Sequence, residues 1–175
     1  MTRAAGGLIR STPLVIVLWL CVIGIVFLGA RLVMERQRVP AATLTAQDGQ
    51  RALVLQRAHD GHFRIKGRIG GPAGDRDVVF LMDTGATTVT IDVSLASALS
   101  LPVGEKVTSI TANGPVEGFE TRIPQLQFGG YTLTQVRAIV VPNLGDEVLM
   151  GMNVISRFDV QLKQDEMHLA LRAGQ

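Results

Sequence analysis

Asp83, Thr84 and Gly85 set a carboxylate, a hydroxyl and a glycine in succession at the end of an apolar run, Val78-Val79-Phe80-Leu81-Met82. A carboxylate can accept a proton from water or return one, so a positioned Asp is a candidate general acid or base. The run reads as a buried strand, because Val and Phe favour a packed, pleated surface. Asp83 is thus delivered where the chain leaves the core, and a carboxylate there is costly unless hydrogen-bonded, paired or used. Gly85 permits a sharp turn and a close backbone approach. The same three residues also make an ordinary strand-end turn, and the tripeptide alone leaves both readings open.

Other reactive side chains are sparse. The three histidines are His59, His62 and His168. No further ligands stand at a spacing that would complete a metal site, so His59 and His62 read as surface residues and no metal or other cofactor is expected. The only cysteine, Cys21, lies in an apolar N-terminal stretch, which leaves the rest of the chain without disulfide or thiol chemistry. His62, Arg64, Lys66 and Arg68 alternate with Phe63, Ile65 and Ile69. That pattern predicts a half-buried strand whose basic face is solvated.

The elements that must position Asp83 are mostly strands. Arg51 to Gln56, His62 to Ile69 and Val78 to Met82 read as three, with a Gly70–Asp75 turn before the third. Asp92 is placed to cap a short helix through Leu99. Lys106 to Thr111 and Val116 to Ile123 flank Asn113-Gly114, a hairpin signal. Its polar or small tip predicts a hairpin that stands off the core. Tyr131 to Val141 is strand-like. Glu147-Val148-Leu149-Met150-Gly151 is a second apolar run ending in glycine. A short helix over Met152–Arg157 and strands over Phe158–Leu162 and Met167–Leu171 complete the chain. Short strands with Gly-rich turns predict an all-β domain, a small closed barrel with one or two short helices.

The N-terminus is different in kind. Leu14 to Ala30 holds no charged residue, and continuing to Met34 gives a length suited to a single transmembrane helix. A cleaved signal peptide is the rival, but Leu28-Gly29-Ala30 is a poor cleavage site. The expected organisation is a cytoplasmic tail at 1–13, an anchor at 14–34, a linker at 35–50 and a folded domain at 51–175. Basic residues flank the span on both sides, so charge bias does not orient it. Five bases and one acid lie in residues 1–40, which leaves 12 bases against 14 acids beyond. The basic character belongs to the membrane flank and gives no support to nucleic-acid binding.

Phe80-Leu81-Met82-Asp83-Thr84-Gly85-Ala86, then a hairpin around Thr111-Ala112-Asn113-Gly114, then Leu149-Met150-Gly151-Met152-Asn153 before a short helix, resembles the retroviral-type (retropepsin-like) aspartic proteases. Gly61-His62-Phe63 and Gly151-Met152 through Arg157-Phe158 resemble their bacterial membrane-anchored branch. The resemblance covers roughly residues 50–171. It implies an acid-protease barrel with Asp83 catalytic and Thr84, Gly85 and Ala86 supporting the active-site loop. Ala112, Asn113 and Gly114 would form a substrate-binding flap. Leu149, Met150 and Gly151 would form a strand beneath the loop.

With one Asp-Thr-Gly loop per chain, two carboxylates sharing a proton require a homodimer acting on a polypeptide. The anchor would raise the effective concentration of the two chains. The resemblance further implies a bacterial inner-membrane protein with its protease domain on the periplasmic side. Retroviral enzymes carry an ion pair at the positions of Thr87 and Met152, and both partners are absent together, so no charge is orphaned. A catalytically idle barrel that dimerises or binds a protein is the alternative, and an intact Asp83-Thr84-Gly85 speaks against it.

Overall fold

The computed structural model describes residues 12–36, 39–47, 50–111 and 114–172. It divides into two units, residues 1–38 and residues 39–175. In the first, Thr12–Arg36 forms a 25-residue helix, α1. Its described side chains, 16–29, are all exposed and apolar or small. Among the described residues no helix is long and apolar enough to cross a membrane.

The second unit is mostly β. Its elements run β1 (Thr43–Gln47), β2 (Gln50–Gln56), β3 (Arg64–Gly71), β4 (Gly74–Met82), β5 (Val89–Asp92), α2 (Val93–Ala98), β6 (Lys106–Thr111), β7 (Gly114–Phe128), β8 (Tyr131–Val141), β9 (Glu147–Met150), α3 (Met152–Ile155), β10 (Phe158–Lys163) and β11 (Glu166–Leu171). They form a four-stranded sheet ordered β1-β2-β11-β10 and a seven-stranded sheet ordered β3-β4-β9-β5-β8-β7-β6. In the larger sheet β3 also pairs with β7, through Gly67–Gly70 and Gln125–Phe128. That pairing closes β3-β4-β9-β5-β8-β7 into a ring with β6 outside it, and the four-stranded sheet is a second sheet beyond the single closed barrel that was expected.

Two expected boundaries move for identifiable reasons. The linker expected over 35–50 contains β1, which pairs residue for residue with β2 from Thr43↔Val54 to Gln47↔Gln50. Backbone hydrogen bonding holds a segment whose side chains alone looked unpatterned. β7 continues through Pro124 to Phe128, beyond the expected end at Ile123. The β7–β8 register runs Ile123↔Val136 and then Gln125↔Thr134, and Gln135 has a φ of 52°. A local irregularity at that point accommodates a residue with no N–H to give.

The core joins the two sheets. Phe158 of β10 packs edge-on against Phe128 of β7 at 5.7 Å and against Tyr131 of β8 at 5.0 Å. Phe128 in turn meets Phe80 of β4 at 6.0 Å. Such edge-to-face contacts stabilise by roughly 1 kcal/mol each beyond the area they bury. Phe80, fully buried, fixes the strand that leads to Asp83.

Candidate active site

β4 is apolar at its end because its side chains enter the core there, with Phe80 and Met82 buried. It runs antiparallel to β3 and parallel to β9, in the register Phe80↔Val148 and Met82↔Met150. β9 also meets β5, with Thr90 opposite Leu149. The strand containing Leu149 and Met150 therefore lies between the strand that enters the Asp83 loop and the strand that leaves it.

The loop is bound to this strand by backbone. The Asp83 amide donates to the Met150 carbonyl at 3.1 Å. The Met152 amide donates to the Ala86 carbonyl at 2.8 Å, and the Asn153 amide to the Thr87 carbonyl at 3.0 Å. Gly151 permits the close approach: a Cβ there would lie 2.6 Å from the carbonyl carbon and oxygen of Thr88.

Within the loop the Gly85 amide donates to Asp83 Oδ1 at 2.9 Å, and the Ala86 amide to the Asp83 carbonyl at 3.2 Å. One carboxylate oxygen is thus held by the chain's own backbone. Oδ2 has no hydrogen-bond partner among the described residues. Asp83 is half-buried and Thr84 and Gly85 are exposed. A carboxylate held through one oxygen, with the other free of protein partners among the described residues, is suited to hold a water or a second acid.

Of the other residues picked out from sequence, Gly114 begins β7 with a φ of 107°, opposite Thr111. Ala112 and Asn113 lie outside the described residues. Among the described residues β6 stands at the end of its sheet and pairs with β7 alone. Among the described residues no group of acids, histidines or cysteines is arranged to hold a metal ion. An open depression of about 920 Å³ lies away from Asp83, lined by Lys66, Arg68, Val79, Phe128 and Tyr131 among others.

Two residues gain roles that the sequence reading did not give them. Asn153 accepts from the Val89 amide through Oδ1 at 3.0 Å and donates through Nδ2 to the Arg137 carbonyl at 2.8 Å. Its place two residues after Gly151, in an otherwise apolar turn of helix, is the signal that would have found it. Arg64 was expected on a solvated face, but its side chain is only 17% exposed. It donates to Glu147 at 2.7 Å and to Asp60 at 2.8 Å, which ties the start of β3 to the start of β9. Hydrogen bonding to Glu147 is the largest influence on its guanidinium and raises its pKa further. Lys66 and Arg68 are exposed as expected.

A family model described as "gag-polyprotein putative aspartyl protease" matches residues 66–157, more than half of the chain. The chain belongs to this retropepsin-like aspartyl protease family. The matched segment of this aspartyl-protease homologue runs from β3 through α3 and includes the Asp83 loop and β9. Among curated proteins, an uncharacterized protein in the cobV 5′ region of a Sinorhizobium species is 28% identical over 134 residues, covering 74% of this chain. The match spans 56% of that relative's length, so the chain accounts for about half of it. Among solved structures, a retropepsin-like aspartic protease from Rickettsia conorii superposes with a TM-score of 0.57 at 20% identity, covering 75% of this chain and 96% of that one. At that identity the likeness is one of fold.

Proposed function

We propose that the protein is an aspartic endopeptidase, active as a homodimer with one Asp83 from each chain. The observation that carries this reading is the held carboxylate: Asp83 at the end of β4, its amide on Met150 and its Oδ1 on Gly85. Family membership supports it, because the Asp83 loop and its supporting strand lie within the matched segment.

The chemistry follows from pairing. Peptide hydrolysis needs a base to take a proton from the attacking water and an acid to protonate the carbonyl oxygen. A single carboxylate cannot hold both roles at one instant. Two close carboxylates do not ionise together, so they share one proton and divide the work. Thr84, exposed at the loop's tip, would meet its counterpart across the twofold axis. Gly85 and Ala86 would shape the loop, Leu149, Met150 and Gly151 would support it, and the β6–β7 hairpin, with Ala112, Asn113 and Gly114 at its tip, would close over the substrate.

The further parts of the proposal concern place. Residues 14–34 act as a membrane anchor, supported by the uncharged Leu14–Ala30 run inside α1. The protease domain lies on the periplasmic side of the inner membrane, with a polypeptide of that compartment as substrate. Incubating the wild type and Asp83→Asn with a diverse peptide pool, from acid to neutral pH, tests the activity. New termini that appear only with the wild type support it. A folded, dimeric wild type that generates none would overturn it and favour a binding module.

A further inference from the structure

The two peptide planes on either side of Met82 lead into Asp83, and each is tied to a different neighbour. The Asp83 amide donates to the Met150 carbonyl at 3.1 Å, and the Met82 amide donates to the Phe63 carbonyl at 2.9 Å. Successive amides of a strand point to opposite edges, so the two bonds grip the chain from both sides just before the carboxylate. On the Met150 side stands a strand set between two others. The Phe63 side lacks that support. β3 begins at Arg64, and Phe63 ends a loop closed by an isolated bridge to Arg57.

Arg57 braces this loop. Its Nη1 donates to the Gly61 carbonyl at 3.1 Å, and its guanidinium lies 4.8 Å over the centre of the Phe63 ring. Its amide donates to the Asp165 carbonyl at 2.7 Å, in the turn between β10 and β11. A longer bond, at 3.4 Å, runs from Nη2 to the Gln164 carbonyl of the same turn. The ion pair with the Asp165 side chain is the weakest of these ties. It spans 3.5 Å, and that side chain is 84% exposed, where water screens the attraction. The weight falls on the Gly61 carbonyl and on the buried Phe63 ring. A flat cation with several donors can hold a carbonyl at its edge and a ring at its face at once, which an ammonium cannot. The loop's tip is pinned separately, since Asp60 accepts from Arg64 at 2.8 Å. Loss of Arg57 therefore loosens the loop without unfolding it.

We propose that Arg57 is a positioning residue for Asp83. It braces the loop over 57–63, the loop's Phe63 carbonyl fixes Met82, and Met82 sets the angle at which Asp83 leaves the strand. This rests on the protease reading above and adds to it a residue that acts through others and touches no substrate.

Steady-state cleavage and hydrogen exchange on the full chain in detergent micelles test this. Arg57→Ala is expected to lower kcat about tenfold by misplacing Asp83, with KM held within about twofold because no substrate contact is lost. Exchange at the Met82 amide should quicken about tenfold, while the Leu126 amide in β7 stays slow. Arg57→Lys keeps the charge and the ring contact, and should recover part of kcat. Asp165→Ala removes only the exposed partner, and should behave as the wild type. Phe63→Leu keeps the carbonyl and loses the ring, so Arg57→Ala should cost less in that background than in the wild type. Unchanged exchange at Met82 in Arg57→Ala, equal acceleration at Leu126, or a rise in KM at constant kcat overturns the proposal. Faster Met82 exchange in chains that never cleave a peptide keeps the brace and removes the protease reading. Cleavage that Arg57→Ala leaves at the wild-type kcat does the reverse.

Discussion

The side-chain amide of Asn153 holds the Val89 amide at 3.0 Å and the Arg137 carbonyl at 2.8 Å, and so joins the exit of the Asp83 loop to β8. Val89 is fully buried, so its N–H has no water to fall back on. An unpaired buried donor costs about 1–3 kcal/mol. Asn153→Ala is expected to lower unfolding stability by about 2 kcal/mol, read from denaturant midpoints. Asn153→Asp keeps the acceptor for Val89 and loses the donor to Arg137, so its loss should be smaller only if the Val89 bond dominates. Equal midpoints for wild type and Asn153→Ala would mean that the bridge contributes nothing.

Gly151 is required by space and not by backbone conformation. Its φ of −83° is open to any residue. A Cβ, however, would stand 2.6–2.7 Å from three backbone atoms of Thr88, which have no rotamer to change. Gly151→Ala should therefore destabilise by about 1–3 kcal/mol through overpacking. It should also raise proteolytic nicking of residues 84–88, as the loop and β9 move apart. A variant as stable as the wild type, with the loop still protected, would mean that the two strands separate without cost.

Much of the site's scaffold was readable from sequence. The β4 and β9 runs are continuous and apolar because their side chains are buried or half-buried on both faces, and that pattern survives without knowledge of the neighbours. Both short helices and the Asp92 cap were readable for a similar reason, since caps are local. β1 was not, because Thr43–Gln47 is set by its ladder with β2 and only Leu44 marks a face. The continuation of β7 past Pro124 depends on an irregularity opposite Gln135, which no local rule reveals. Arg64 read as one of four alternating basic residues, and its ion pair with Glu147 joins positions far apart in sequence. Asn153 is a long-range bridge of the same kind.

Asp92 predicts a pH dependence. Its Oδ1 accepts from the Ser94 amide at 2.8 Å and its Oδ2 from the Leu144 amide at 2.9 Å. Hydrogen bonding from the Ser94 side chain, then from that amide, holds its pKa below the usual 3.8. The charged form is thus favoured in the folded state. The resulting stability is present above the unfolded pKa and is lost as pH falls through the lower folded value. Asp92→Asn keeps an acceptor for the cap without the titration. The stability gap between wild type and Asp92→Asn should hold from neutral pH to about 4 and shrink below it, as read by thermal unfolding. A gap that widens in acid would contradict the sign. Asp92→Ala, which also loses the cap, should cost about 1 kcal/mol at neutral pH.

The anchor has a direct test. The full chain is expected to sediment with membranes and to resist extraction by high salt and alkali, which remove surface-bound proteins but not spanning helices. A chain beginning at Val39 should appear in the soluble fraction. Release of the full chain by salt alone would mean that residues 14–34 do not span.

The central claim is that each chain supplies one half of a two-carboxylate site. Mixing wild-type and Asp83→Asn chains in varied proportion, with exchange allowed before assay, tests it most directly. If both carboxylates are needed, peptide cleavage falls as the square of the wild-type fraction, to about one quarter at equal mixing. A linear fall, to about one half, would mean that each chain works alone. Full cleavage by Asp83→Asn unmixed would remove Asp83 from the chemistry.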